Sequence, residues 1–345
     1  MRLRQSESIG LLVTLAGITA LLGLTTVPVA GQVPSETPWG HPDLQGVWAS
    51  DSATPLERLS VLGNREFLTD EEVALLQQKA LELFNGETDA AFGDSVYEAV
   101  LNEASAFTSN DTTTGNYNQF WLIDRWFENR TSLIVDPPDG RIPQLTPEGE
   151  LRRQASIGQR DGDRGDGTLP VGPEDLGAGL RCTGGRLPMT GRGYNSNYQI
   201  VQSPDYVVIN MEMMHDARII RLDGGADLHS DIRSHLGNSR GHWDGDTLVV
   251  ETTNLRSGGQ ARPSTGEHLR LTERFSRMDA NTLRYEFTVE DSTTWTKPWT
   301  AVIFMRPAPG TGLMYEFACH EGNYAIRNTL AGARAEERAD SDGSR

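Results

Sequence analysis

Between Tyr194 and Asn254, apolar and polar residues alternate in short runs separated by turn formers, the period of strands that show one face to a core. Residues 206–215 (YVVINMEMMH) place Val207, Ile209, Met211, Met213 and His215 on one face, and Tyr206, Val208, Asn210, Glu212 and Met214 on the other. The first face is apolar until His215, so the pattern predicts an imidazole at the rim of a core. Ala217–Leu222 follows as a short strand carrying Arg218 and Arg221, closed by the turn residues Asp223, Gly224 and Gly225. Further along, 269–277 aligns Leu269, Leu271, Glu273 and Phe275, and 283–290 aligns Leu283, Tyr285, Phe287 and Val289 against Arg284, Glu286, Thr288 and Glu290. A segment at 313–321 aligns Leu313, Tyr315, Phe317, Cys319 and Glu321, and 299–306 is apolar on both faces. Short intervals join these runs, as antiparallel neighbours require. With Leu248 and Val250 before it, this meander predicts about half of an up-and-down barrel or a strongly bent sheet.

Helical patterning is confined to the flanks. Thr69-Asp70-Glu71-Glu72 is a capping box that opens a helix to about Phe84, with Val73, Leu76, Ala80 and Leu83 as its buried stripe and Asn85-Gly86 as its stop. A second helix is predicted from about Asp94 to Ala106, a polar loop over 108–118, and a hairpin between Gln119 and Pro143. Thr146-Pro147-Glu148 starts a short helix, and Ala325–Ala339 forms another before an acidic tail at 340–345. The expected organisation is mainly β: one domain over 32–339 with a lipocalin-like barrel or bent sheet, a helical insertion near 65–107 and a C-terminal helix. A separate domain at 32–150 stays open.

Composition narrows the partners. The 345-residue chain has 36 glycines, 17 prolines and 7% aromatic residues, which fits a loop-rich β protein, and its formal charge of -17 repels phosphate backbones and anionic lipid. Nucleic acid is therefore not an expected partner, whereas a small molecule is. Arg2 and Arg4 precede an apolar run from Leu11 to Val27 and the small residues Val29-Ala30-Gly31, so residues 1–31 read as an export signal. No second apolar stretch of spanning length follows, and the expected location is the periplasm or outside the cell. The two cysteines, Cys182 and Cys319, form an even pair that can bond in an oxidising compartment; their spacing is not that of a metal motif.

Several polar residues stand out as candidate chemistry. Alternation places Glu273 inward among Leu269, Leu271 and Phe275, where a carboxylate needs either an inward arginine or a polar cavity that raises its pKa. Glu321 ends an apolar face in the same way beside His320, and a histidine and two glutamates converging at a barrel mouth would suit proton transfer or a metal. The candidate catalytic set is Glu273, Glu321, His215, His242 and His320. Arg130, Arg218, Arg240, Trp243 and Asn254 are the candidate ligand-binding residues, with arginine suited to an anionic group. Gly237–Gly241 spells Gly-x-Ser-x-Gly around Ser239, but a strand follows rather than a helix, so the context opposes a nucleophile elbow. Residues 161–172 fail the register of a calcium loop, with Gly165 and Gly172 where oxygen ligands are needed. No dinucleotide, P-loop, zinc-protease or c-type haem motif occurs, so no metal ligands are assigned and no organic cofactor is expected, while metal dependence stays open.

Two resemblances add to this. Gly46-Val47-Trp48 resembles the entry of the first strand in lipocalin-like barrels, where the tryptophan closes the barrel base. Pro42–Trp48 (PDLQGVW), Arg130–Pro138 (RTSLIVDPP), Ser239–Val250 (SRGHWDGDTLVV) and Cys319–Tyr324 (CHEGNY) are similar to a group of exported proteins of environmental bacteria. That resemblance implies export and a single β-rich unit and carries over no catalytic role. The function expected from the sequence is binding of a small organic molecule in a cavity lined by the C-terminal strands, with His/Glu acid–base chemistry of a hydrolase, lyase or isomerase as an added capacity. The alternatives are a non-catalytic carrier and a structural envelope protein.

Overall fold

A computed structural model describes residues 36–84, 95–101, 124–156, 169–177, 179–183, 187–191, 193–226, 228–256, 264, 266–310 and 312–343. The export signal, the 108–118 loop, the start of the 119–143 hairpin and the 161–167 loop lie outside the described residues.

Ten strands form one sheet: β1 (Gly46–Ala49), β2 (Ile134–Asp136), β3 (Asn197–Gln202), β4 (Tyr206–Met211), β5 (Ala217–Arg221), β6 (Asn238–Asp244), β7 (Thr247–Thr253), β8 (Arg270–Asp279), β9 (Thr282–Glu290) and β10 (Trp299–Pro307). Nine of them close into a barrel in the order β1, β3 to β10 and back to β1, where Trp48 pairs with Tyr198 on one side and Pro307 on the other. All neighbours run antiparallel except β5 and β6, which are parallel and share only the pairs Ile220–Ser239 and Arg221–Arg240. A parallel pair requires a crossover, and residues 222–237 supply it. Among the described residues there are also four α-helices: α1 (Asp70–Leu83), α2 (Ser95–Leu101), α3 (Pro147–Ser156) and α4 (Ala325–Ser341).

The alternation read from sequence matches the buried face. Leu271, Glu273 and Phe275 on β8, and Leu283, Tyr285, Phe287 and Val289 on β9, all lie inside with almost no exposed surface. Phe275, Tyr285, Phe287 and Trp299 stack along the interior with centroids 5.0, 5.4 and 5.8 Å apart. Each such apolar side chain contributes about 1.5–3 kcal/mol on burial. Trp48 is buried, its Nε1 donates to the Leu44 carbonyl at 2.9 Å, and the Arg277 guanidinium lies 5.3 Å from the centre of its ring.

Strand β10 is apolar on both faces because its outer face is also covered. The Val302 amide donates to the Leu133 carbonyl at 2.9 Å, and the Arg130 guanidinium lies 4.8 Å from the Phe304 ring centre. Outside the barrel, Leu62, Leu68, Leu76, Leu83, Tyr97, Val100 and Phe127 form a second, smaller core beneath α1 and α2. The capping box is present, with Glu72 N donating to Thr69 Oγ1 at 3.3 Å and Thr69 N to Glu72 Oε2 at 2.8 Å. Leu68 N donates to the Asn129 carbonyl at 2.7 Å, tying this annex to the 124–131 segment.

Three expectations are corrected. Strand β4 ends at Met211, and 213–215 form a 3₁₀ turn in which Met214 and His215 take φ of 65° and 45°, so His215 is turned out to solvent instead of ending an inner face. Residues 313–321 are not a strand: Leu313 and Tyr315 are 66% and 76% exposed, and no ladder partner is paired with them among the described residues. Alternation is necessary for a strand, but without a neighbouring edge it does not make one. The predicted Gln119–Pro143 hairpin contributes, within the described residues, only β2, which pairs with β10. Cys182 and Cys319 are bonded, with Cα atoms 5.7 Å apart, and join the 179–183 segment to the chain leading into α4.

Candidate functional site

The inward glutamate has an inward arginine. Arg218 on β5 meets Glu273 on β8 in a bidentate pair, with Nη1 to Oε1 at 2.9 Å and Nη2 to Oε2 closing the fork. Arg218 Nε donates to Ser239 Oγ on β6 at 2.8 Å and Nη2 to Thr252 Oγ1 on β7 at 2.6 Å, while Tyr285 Oη on β9 donates to Glu273 Oε1 at 2.8 Å. Met189 N then donates to Tyr285 Oη at 3.1 Å. One polar network thus joins five consecutive strands, and it crosses the parallel β5–β6 joint, which has only two ladder pairs. Burial, with the Glu273 carboxylate beside it, pushes the Tyr285 hydroxyl well above its ordinary pKa and keeps it a donor. Glu273 has no accessible surface and Arg218 only 2%, so the pair is buried away from solvent. Ser239 is buried in this network on a strand, which leaves the Gly-x-Ser-x-Gly sequence without a nucleophile elbow.

The remaining sequence candidates fall elsewhere. His215 and His320 are exposed, with ring centres 6.3 Å apart and His215 Nδ1 3.1 Å from the Phe317 carbonyl; Glu321 is exposed in the turn before α4. Glu273 and Glu321 are not brought together. His242 is exposed on β6, and Trp243 is half-buried, stacked on His41 at 4.6 Å. Arg240 sits on β6 in register with Glu251 on β7. Asn254, at φ 55°, donates to the carbonyls of His229 at 2.9 Å and Ile232 at 3.1 Å, and so fixes the crossover loop. Among the described residues no group of three or more metal-ligating side chains converges.

Arg130 leads to a different place. Its Nε and Nη2 donate to Glu128 Oε2 and Oε1 at 2.6 and 2.7 Å, and its Nη1 to the Val302 carbonyl at 3.0 Å, fixing the guanidinium on the outer wall of β10. Beside it the chain from Arg130 to Gly140, which includes a cis Asp136–Pro137 bond, wraps around Arg58. Arg58 is 4% exposed; its Nε donates to Thr131 Oγ1 at 2.9 Å and its Nη1 to the carbonyls of Pro138 and Asp139 at 3.2 and 3.0 Å. No carboxylate lies within ion-pair distance of Arg58 among the described residues, and its Nη2 has no hydrogen bond there. Buried arginines are ordinarily paired. Gly140, at φ 69°, makes the packing possible, because a Cβ there would meet Ser132 Oγ at 2.4 Å and Arg58 Nη2 at 3.0 Å.

Arg58 and Arg130 line one solvent-open cleft together with Ser132, Glu66, Val135 and Pro138. It has room for about one water-sized group, about 10 Å³. Ser132 Oγ donates to the Ile134 carbonyl at 2.9 Å, which leaves its oxygen lone pairs as acceptors. The cleft therefore offers guanidinium N–H donors at its floor and apolar surface from Val135 and Pro138 at its shoulder. Arg130 was legible in the sequence as an arginine before a strand; Arg58 was not, since it lies in an irregular segment with no period to mark it. Comparison with models of protein families, with curated proteins and with solved structures finds no match to this chain.

Proposed function

We propose that this is an exported small-molecule-binding barrel protein whose ligand carries an anionic group into the cleft between Arg58 and Arg130. The observation that carries the reading is Arg58, a 4%-exposed guanidinium that borders the cleft with no carboxylate partner among the described residues. An unpaired buried cation is costly, and an incoming anion removes that cost. Export rests on the pattern of residues 1–31, and the Cys182–Cys319 bond is in keeping with an oxidising compartment. The reading is binding without turnover: among the described residues no histidine lines the cleft, and Glu273 is held by Arg218 away from solvent.

A thermal-shift screen of the protein against anionic, neutral and cationic small molecules tests it. A ligand that binds only the native state raises the melting temperature, by about 2.7 kcal/mol of stability at a hundredfold excess over Kd. Anionic compounds should do so, and Arg58→Lys, which keeps the charge but loses the fork, should abolish the gain. A second reading, a structural envelope protein, draws on the filled interior around Tyr285 and Phe287. A well-folded protein that no compound stabilises would favour it.

A further inference from the structure

We infer that the cleft selects an organic monocarboxylate over phosphate or sulfate, and that Glu66 sets this selectivity; the inference rests on the cleft being an anion site. Charge is the first argument. Arg130 is already neutralised by Glu128 in a bidentate pair, so Arg58 brings the one cationic charge of the cleft lining that lacks a carboxylate in ion-pair range among the described residues. Glu66 lines the same cleft with an exposed carboxylate, which forms no ion pair with Arg58 or hydrogen bond to it. A monoanion balances Arg58, whereas a dianion leaves excess negative charge facing Glu66.

Shape is the second argument. The cleft has room for only about one water-sized group, about 10 Å³, so an anion of either class inserts one oxygen and the remainder of the ligand lies against the outer lining. A carboxylate can lower one oxygen to Arg58 Nη2 and lay its carbon chain on Val135, which is 41% exposed, and on Pro138, an apolar contact that phosphate and sulfate lack. Glu66 is well placed for a fixed effect because its backbone carbonyl accepts from Thr131 N at 3.1 Å and from Thr131 Oγ1 at 3.1 Å, one residue from Arg130.

Coulomb energy scales with ligand charge, so removing the Glu66 charge must act on a dianion as the square of its action on a monoanion. If Glu66→Gln tightens propionate about fivefold, it should tighten hydrogen phosphate about 25-fold. Calorimetric titration of the full protein at pH 8 and constant ionic strength, with propionate, inorganic phosphate and sulfate, reads this directly. The expected result is propionate bound more tightly than either dianion by the wild type, with the gap narrowed in Glu66→Gln. Tighter wild-type binding of phosphate or sulfate overturns the ligand class while leaving the cleft as an anion site. Equal changes for all three anions overturn the role of Glu66. No binding by either protein overturns the anion site itself.

Discussion

Among the described residues, two bidentate arginine–glutamate pairs with largely buried side chains share a chemistry and differ in surroundings. Arg218–Glu273 lies inside the barrel with side chains 1% and 0% exposed, and each group is further bonded by hydroxyls from β6, β7 and β9. Arg130–Glu128 lies on the outer wall at 11% and 6%, next to a second arginine, Arg58, that has no such partner. The comparison teaches that a buried charge is not a site merely because it is buried. The sealed pair is complete and offers no open space to a ligand, so its role is to hold five strands in one register. The wall leaves one buried guanidinium, with no carboxylate in ion-pair range among the described residues, at the edge of a solvent-open cleft, the condition for recognition.

The strongest way to break this comparison is to strand one partner of the sealed pair. Glu273→Gln leaves the Arg218 charge buried and should cost about 3–5 kcal/mol in urea unfolding. Little loss, with the fold intact, would mean that the interior is wetter and looser than described. Replacing both partners, as Arg218→Met with Glu273→Leu, should destabilise less than Glu273→Gln alone, since no charge is left uncompensated; a double-mutant cycle measures the coupling. On the wall, Gly140→Ala forces a left-handed alanine at about 1–2 kcal/mol and sets its Cβ against Arg58 and Ser132. Its melting temperature should fall modestly and its anion response should vanish.

A third buried carboxylate sharpens the contrast at the smallest scale, because it is satisfied with no cation. Asp291 accepts from Ser264 Oγ and Thr294 Oγ1 at 2.6 Å each and from Thr293 Oγ1 at 2.7 Å. Burial alone pushes its pKa up, but these hydrogen bonds together outweigh it and the net shift is downward. A folded-state pKa below the unfolded one gives stability that is complete above the unfolded value and lost as pH falls through the folded value. Acid unfolding from pH 6 downward should therefore show an Asp291 contribution that is constant until the ordinary aspartate range and declines below it, and Asp291→Asn should flatten that limb.

Much of the barrel was legible because its strands are long enough for a period of two to register. On β8 and β9 the inward residues were read individually, and the anomaly at Glu273 was visible as a carboxylate in an apolar row. The identity of its partner was not, because Arg218 reaches Glu273 across the parallel β5–β6 joint, whose two ladder pairs leave no trace in the pattern. The 313–321 segment shows the converse failure: Leu313, Tyr315 and Phe317 alternate as a strand would, but pairing is a property of the neighbour, and among the described residues no edge meets them. His215 was misplaced by the 3₁₀ turn at 213–215, where two consecutive left-handed residues reverse the side chain. Arg58 had no signal of its own, since its burial is made by Thr131, Pro138, Asp139 and Gly140, some 70 to 80 residues further along the chain.

The contrast between the pairs is most directly measured by the arginine side-chain N–H resonances of the labelled protein during titration with propionate, against sodium chloride at equal ionic strength. The Hε signals of Arg58 and Arg130, assigned with Arg58→Lys and Arg130→Lys, should shift saturably while that of Arg218 stays fixed. A saturable shift of Arg218, with Arg58 and Arg130 unmoved, would place the ligand inside the barrel and contradict the account.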